Sequence, residues 1–221
     1  MPTSVLVRPP TAAAVIIPAY NEEQTVAGVV AAARQVPQVA RVVVVSDGSV
    51  DATADVARTA GATVIELAEN QGKGAAMRRG LDAVSEDVVV FLDADLVGLT
   101  PDHVTALLEP VLTDHAHMTV GVFSGGRAST DLAQAVTPWL SGQRAVRRQV
   151  LSGLSDLELS RFGAEVVLTR LAWRNRLQVR EVHLADVTQR TKEEKLGLAR
   201  GFRYRMKMYW EILRYALQTK T

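Results

Sequence analysis

Two aspartates one residue apart, Asp93-Ala94-Asp95, close an apolar run that begins at Asp87. Carboxylates at the end of a buried strand are costly unless they are paired or meet a cation. Hard divalent ions such as Mg²⁺ and Mn²⁺ take a few carboxylates together with phosphate oxygens. The pair therefore suits an ion bridged to a diphosphate; a solvated strand end or a helix cap is the plainer reading. Gly72-Lys73-Gly74 combines glycines that admit close backbone approach, a helix start and a cation. That combination suits an anion, although it is not a Walker loop, because the G-x-x-x-x-G-K-[ST] spacing is absent. A glycine turn with a surface lysine is the alternative. Asp47-Gly48-Ser49 and Pro18-Ala19-Tyr20-Asn21-Glu22-Glu23 follow two further apolar runs. Asp47 is suited to accept from a base N–H or a ribose, or to cap the helix after it. Tyr20 is suited to stack on a base, or to sit half-buried at a strand end.

The elements that must position these groups are legible from periodicity. Ala12–Ile17, Arg41–Ser46, Ala62–Glu66 and Asp87–Leu92 are short Val- and Ile-rich runs without polar alternation, as in strands buried on both faces. Between them Glu22–Gln35, Asp51–Ala60 and Lys73–Val84 carry apolar residues at helical spacing, with Asp51 as N-cap and Gly61 at the C′ position. Strands alternating with such helices predict a parallel sheet with right-handed crossovers, an α/β fold. Ligands of such sheets bind beyond the carboxyl ends of the strands, and there the acidic, amide and lysine clusters converge. The second half is less regular. Pro101–Leu112 reads as a helix, Met118–Phe123 as a strand, Thr130–Leu151 as a helix broken or kinked at Pro138, and Arg161–Asn175 as a helix. Gln178–Leu184 alternates like a strand, and Thr191–Thr221 is a long helical pattern.

Of the 221 residues 48% are hydrophobic and 22% charged, which allows a sizeable core without staples. With no cysteine, disulfides and thiolate metal sites are excluded. The net charge of +1 calls for no nucleic acid or acidic partner. Met1–Pro10 lacks the charged and apolar regions of a leader, and no apolar stretch nears the ~20 residues of a membrane span. A cytoplasmic protein is expected, with peripheral attachment to a membrane left open. Oligomeric state is not encoded in any pattern here.

Ile16-Ile17-Pro18-Ala19-Tyr20-Asn21-Glu22-Glu23, Asp47-Gly48-Ser49-Val50-Asp51-Ala52-Thr53, Gly72-Lys73-Gly74 and Leu92-Asp93-Ala94-Asp95 occur in this order. Their spacing resembles the family 2 glycosyltransferases of GT-A fold, over about residues 13–126. The resemblance implies one GT-A domain over 1–221: a nucleotide-sugar-binding half, 1–122, then an acceptor half with a long C-terminal helix, 123–221. It implies that Pro18, Ala19, Tyr20, Asn21, Glu22 and Asp47 hold the base and ribose of a nucleotide-sugar donor, with Ala94 beside them. Lys73 would meet the diphosphate, Asp93 the ribose or metal, and Asp95 the metal, Mg²⁺ or Mn²⁺.

Gly125-Gly126-Arg127-Ala128-Ser129-Thr130 resembles the loop by which glucosyl-3-phosphoglycerate synthases hold an anionic acceptor, which makes Arg127 and Thr130 acceptor contacts. Ser141-Gly142-Gln143-Arg144-Ala145 resembles a segment of dolichol- and polyprenyl-phosphate sugar transferases, with Gln143 in place of an aromatic, and this sets Arg144 against a lipid phosphate. A guanidinium suits either anion through forked hydrogen bonds; a surface helix charge is the alternative for both arginines. Glu165, in a Gly-x-Glu segment like that of the phosphoglycerate enzymes, is a candidate near the reacting centre, or else pairs with Arg161 or Arg170 to organise its helix. Relatives carry a histidine as a further metal ligand where this chain has Gln189, a much weaker ligand, and His103, His115, His117 and His183 match no metal-binding spacing.

In the last helix Leu198, Phe202, Met206, Tyr209, Leu213 and Leu217 form one stripe, and Lys192–Lys207 holds six basic and two acidic residues. Such a helix covers a sheet or lies on an anionic membrane. The implied activity is metal-dependent transfer of a sugar to an anionic acceptor, phosphoglycerate-like or polyprenyl phosphate. A sugar nucleotidyltransferase would need a glycine- and arginine-rich loop after the first strand, where Pro18–Glu23 stands instead. A non-catalytic nucleotide-binding module would bind the nucleotide without turning over the donor.

Overall fold

The computed structural model describes residues 12–124, 141–152 and 164–189. The chain divides into a compact unit ending at Thr188 and a second running from Gln189 to Thr221. The first unit carries the main sheet. Its elements are β1 (Ala13–Ala19), α1 (Val26–Arg34), β2 (Val39–Asp47), α2 (Thr53–Thr59), β3 (Thr63–Leu67), α3 (Lys73–Asp82) and β4 (Val88–Phe91). They are followed by β5 (Leu96–Val97), α4 (Pro101–Leu112), β6 (Met118–Ser124), β7 (Arg144–Arg147), α5 (Arg148–Leu151), α6 (Ala164–Arg174) and β8 (Val179–Ala185).

The strand order of the main sheet is β3-β2-β1-β4-β7-β6-β8. All pairs are parallel except those of β7, which runs antiparallel to both β4 and β6. Alternate residues of each central strand feed opposite faces, which is why the strands read as continuous apolar runs. Val15, Ile17, Val44, Val90 and Leu92 meet α1 and α4 through Val29, Val30, Leu107 and Leu108. Ile16, Val43, Val45, Phe91 and Val146 meet α3 and α6 through Ala76, Met77, Val167 and Leu168 on the other face. The result is the mostly parallel, helix-flanked sheet expected of an α/β chain.

Several boundaries shift for physical reasons. Helix α1 starts at Val26 rather than Glu22, because the backbone of Asn21–Glu23 is engaged elsewhere. Ala52, not Asp51, holds the N-cap of α2, yet Asp51 Oδ1 does accept from Thr53 N at 3.0 Å. Gly61, with φ +93°, donates to Arg58 O and Ala62 N to Ala57 O, so the expected helix stop forms as a paired Schellman closure. Helix α4 begins at Pro101 as expected, and Thr100 and His103 cap it reciprocally, which accounts for that histidine.

One expectation fails within the main sheet. The Thr130–Leu151 segment is not a continuous helix: of its described residues, Arg144–Arg147 form a strand and Arg148–Leu151 a helical turn. Arg, Ala, Gln and Leu are good helix formers, but the free edges of β4 and β6 offer Arg144–Arg147 a ladder on both sides. Pairing and burial there override local propensity. Pro138 and the C-terminal helical pattern lie outside the described residues.

Candidate active site

The site lies at the carboxyl ends of β1, β2 and β4, built on loops that hold one another. Asn21 N donates to Ser49 Oγ at 3.1 Å, and Val50 N donates back to Asn21 Oδ1 at 2.9 Å. Glu22 N donates to Thr53 Oγ1 at 2.8 Å, and Ala52 N to Glu23 Oε2 at 2.9 Å. The loops after β1 and β2, which the sequence offers as two separate motifs, are therefore one laced structure. Tyr20 stands 48% exposed on it, free of the core and available to a planar ligand. Ala19 and Ala94 are buried. Pro18 is partly buried, in register with Val45 of β2.

Asp47 is buried at the end of β2. Its Oδ1 accepts from Gln71 N and its Oδ2 from Gly72 N, each at 2.8 Å. The sequence offers this carboxylate as a base or ribose contact, or as a cap for its own following helix. In the folded chain it fixes the turn in front of α3, one helix further on, rather than capping α2.

That turn aims Lys73, the first residue of α3. Its ammonium lies 2.5 Å from Asp93 Oδ1 and also pairs with Glu165 Oε1. Glu165 opens α6, so the cluster joins three elements that are far apart in sequence. Burial by itself would lower the Lys73 ammonium, but Asp93 and Glu165 outweigh it and hold it above its ordinary value. Burial raises the Asp93 carboxyl; Lys73 opposes, Asp95 and Glu165 reinforce, and the balance stays raised. At Glu165 burial is outweighed by Lys73, so that carboxyl is held low. Glu165 thus does more than organise its own helix.

Two further residues complete the cluster, and the sequence reading assigns neither to it. Gln143, fully buried, donates Nε2 to Asp93 Oδ2 at 3.2 Å. Gly142 packs so closely that a Cβ there would lie 2.6 Å from Asp93 Oδ2 and 2.7 Å from Lys73 Nζ. The only sequence signal was their place in the Ser141–Ala145 segment, where the eye goes to the arginine. Arg144 itself is neither helical nor on the surface: it sits on β7, fully buried. Its Nε donates to Ser141 O at 2.9 Å and its Nη2 to Thr169 Oγ1 at 2.8 Å. Arg127, Thr130 and Arg161 lie outside the described residues.

The donor set fits a hard divalent ion. Asp93 and Asp95 present carboxylate oxygens at one strand end, and the Asp93 carboxyl is raised first by burial and then by Asp95 and Glu165, which Lys73 only partly offsets. Among the described residues no group of three or more His, Cys, Asp or Glu side chains is arranged to hold an ion. An ion here would therefore draw its remaining ligands from diphosphate oxygens and water.

A mostly parallel sheet flanked by helices, with laced loops, a helix-borne lysine and an acidic pair at its strand ends, is the architecture of a GT-A fold. The profile of glycosyl transferase family 2 matches residues 14–159, and the chain belongs to that family. It is similar to glucosyl-3-phosphoglycerate synthase of Mycolicibacterium smegmatis, 36% identical over an alignment of 119 positions that covers 49% of this chain and 39% of that one. The corresponding synthase of Mycobacterium tuberculosis H37Rv is 31% identical over an alignment of 177 positions that covers 63% of this chain and 55% of that one. The chain thus spans about half the length of these curated relatives. The crystal structure of the M. tuberculosis synthase with Mn²⁺, UDP and phosphoglyceric acid superposes with a TM-score of 0.66 at 29% identity, covering 81% of this chain and 71% of that one.

Proposed function

We propose that this chain is a metal-dependent glycosyltransferase that moves a sugar from a nucleoside-diphosphate sugar to an anionic acceptor. The observation that carries the reading is the meeting of Lys73, Asp93 and Glu165 beside Asp95, at the strand ends where the laced donor loops stand. The similar synthase has been crystallised with Mn²⁺, UDP-glucose and phosphoglyceric acid, and with Mg²⁺ and UDP. Its identity to this chain supports UDP-glucose as donor, a phosphoglycerate-like acceptor and Mn²⁺ or Mg²⁺ as cofactor, in preference to a polyprenyl phosphate.

Asp93 and Asp95 would hold the ion, which supplies electrostatic neutralisation of the departing diphosphate. Pro18, Ala19, Tyr20, Asn21 and Glu22 would line the nucleotide, with Tyr20 as the exposed aromatic platform. Lys73 begins α3, so an incoming diphosphate finds both its ammonium and the helix N-terminus. Glu165, held ionised by Lys73, stands where it orients that ammonium and can take a hydroxyl proton once the pair loosens. Arg127 and Thr130 would fix the acceptor anion. No described helix is long and apolar enough to cross a membrane. We place the reaction in the cytoplasm.

Calorimetry of UDP and GDP, with and without Mn²⁺, tests the reading on wild type and Asp95→Ala. Binding of UDP that requires both the ion and Asp95 is the expected result. Binding of neither nucleotide would remove the basis for a nucleotide-sugar donor.

A further inference from the structure

We propose that Arg144 is a positioning residue, a buried guanidinium that ties the Ser141–Gly142 turn to α6 and so fixes Gly142 and Glu165 around the Lys73–Asp93 pair. The inference rests on the glycosyltransferase reading for its consequence, though not for its geometry.

Arg144 sits opposite Phe91 of β4 on one side and Val120 of β6 on the other, in the middle of the sheet. A charge there is expensive unless its hydrogen bonds are met. Nε donates to Ser141 O at 2.9 Å, Nη2 to Thr169 Oγ1 at 2.8 Å, and Nη1 approaches Met118 Sδ at 3.6 Å. Thr169 Oγ1 passes the connection on, donating to Glu165 O at 2.8 Å, one turn earlier in α6. Burial pushes the guanidinium down to about 10, with Glu165 acting against that fall, so it remains charged at neutral pH.

Both ends of this chain of bonds reach the cluster. The residue after Ser141 is Gly142, whose backbone lies against Asp93 and Lys73. The residue at the other end is Glu165, whose carboxylate pairs with Lys73. A guanidinium with no accessible surface meets a solute only if the residues packed around it move aside. An apolar side chain would fill the same slot without joining the two elements. The forked, planar group does join them, and a lysine cannot reproduce both directions.

The test uses the full chain as Arg144→Met, Arg144→Lys and Thr169→Val, with Glu165→Gln as reference. The first readout is the rate at which trace acetylation labels Lys73, followed by mass spectrometry; it needs no turnover. Thr169→Val and Arg144→Lys should raise that rate about threefold or more, towards the Glu165→Gln value, because Glu165 is no longer held on the ammonium. The second readout is steady-state kinetics with UDP-glucose and phosphoglycerate: kcat should fall about tenfold or more in the arginine variants while the acceptor KM stays within about twofold. A rise of about tenfold in acceptor KM with kcat intact would make Arg144 a direct acceptor contact and overturn the proposal. Unchanged Lys73 labelling in both Thr169→Val and Arg144→Lys would overturn it as well. If Arg144→Met does not fold, those two variants decide the matter. A wild type that transfers no sugar would defeat the proposed function alone, and the labelling result would still stand for or against the strut.

Discussion

Asp47 Oδ2 accepts the backbone N–H of Gly72 at 2.8 Å, so the end of β2 holds the start of α3. Gly72 has φ +93° and is followed by Lys73, which means the clamp acts on the turn that sets the direction of the ammonium. Charge-assisted bonds to a buried carboxylate are among the stronger polar contacts. Asp47→Ala should therefore cost about 2–4 kcal/mol of stability for its two lost bonds, measured by urea unfolding. Nucleotide affinity should fall in the same variant even where it remains folded, because the Lys73 turn is released. Stability equal to wild type would show that Gln71 and Gly72 find other partners.

Asp95→Ala removes an acid at the strand end without opening the core. Metal-dependent turnover should disappear, with little change in the unfolding midpoint. Activity at the wild-type level would refute the metal role of that residue.

Gly142 has no room for a side chain. A methyl group would meet Asp93 and Lys73 at 2.6–2.7 Å, so Gly142→Ala must push the carboxylate or the ammonium aside. A loss of about tenfold or more in kcat/KM is expected, about 1.4 kcal/mol in the transition state. Kinetics with saturating and limiting donor check it. Gln143→Leu, which takes away the donor to Asp93 Oδ2, should act in the same direction.

Away from the site, Glu86 gives a pH signature. Burial would raise its carboxyl, but the backbone N–H groups of Glu86 and Ser85, together with Arg41, hold it below its ordinary value. A carboxyl lowered by folding contributes stability above its unfolded value and loses it as pH falls through the folded one. Glu86→Gln should accordingly be less stable than wild type at pH 7, and the gap should close as the pH drops below the ordinary carboxylate range. Arg41 is half-exposed, so its share of the gap is about 1 kcal/mol or less. A gap that widened on acidification would reverse the sign of the argument.

The sequence by itself determined the alternation of strands and helices, the strand ends where polar residues gather, and the four motifs that mark the family. These are local properties. A buried strand must be apolar over its whole length, a crossover must carry a helical stripe, and a turn into a helix carries a residue such as Gly72 whatever lies elsewhere. Only the tertiary structure decided what those polar residues do to one another. Lys73 and Glu165 are 92 residues apart, and neither periodicity nor spacing records that they pair. Asp47 reads in the sequence as a base or ribose contact or a helix cap, but the partners it has in the fold, Gln71 and Gly72, come from another loop. Arg144–Arg147 has the composition of a helix and becomes a strand because β4 and β6 each present an open edge to it. That insertion buries Arg144, brings Gln143 to Asp93 and sets Gly142 on Lys73. Short-range preferences are worth tenths of a kcal/mol per residue, whereas a completed ladder and a satisfied buried charge are worth more, so the long-range contacts prevailed.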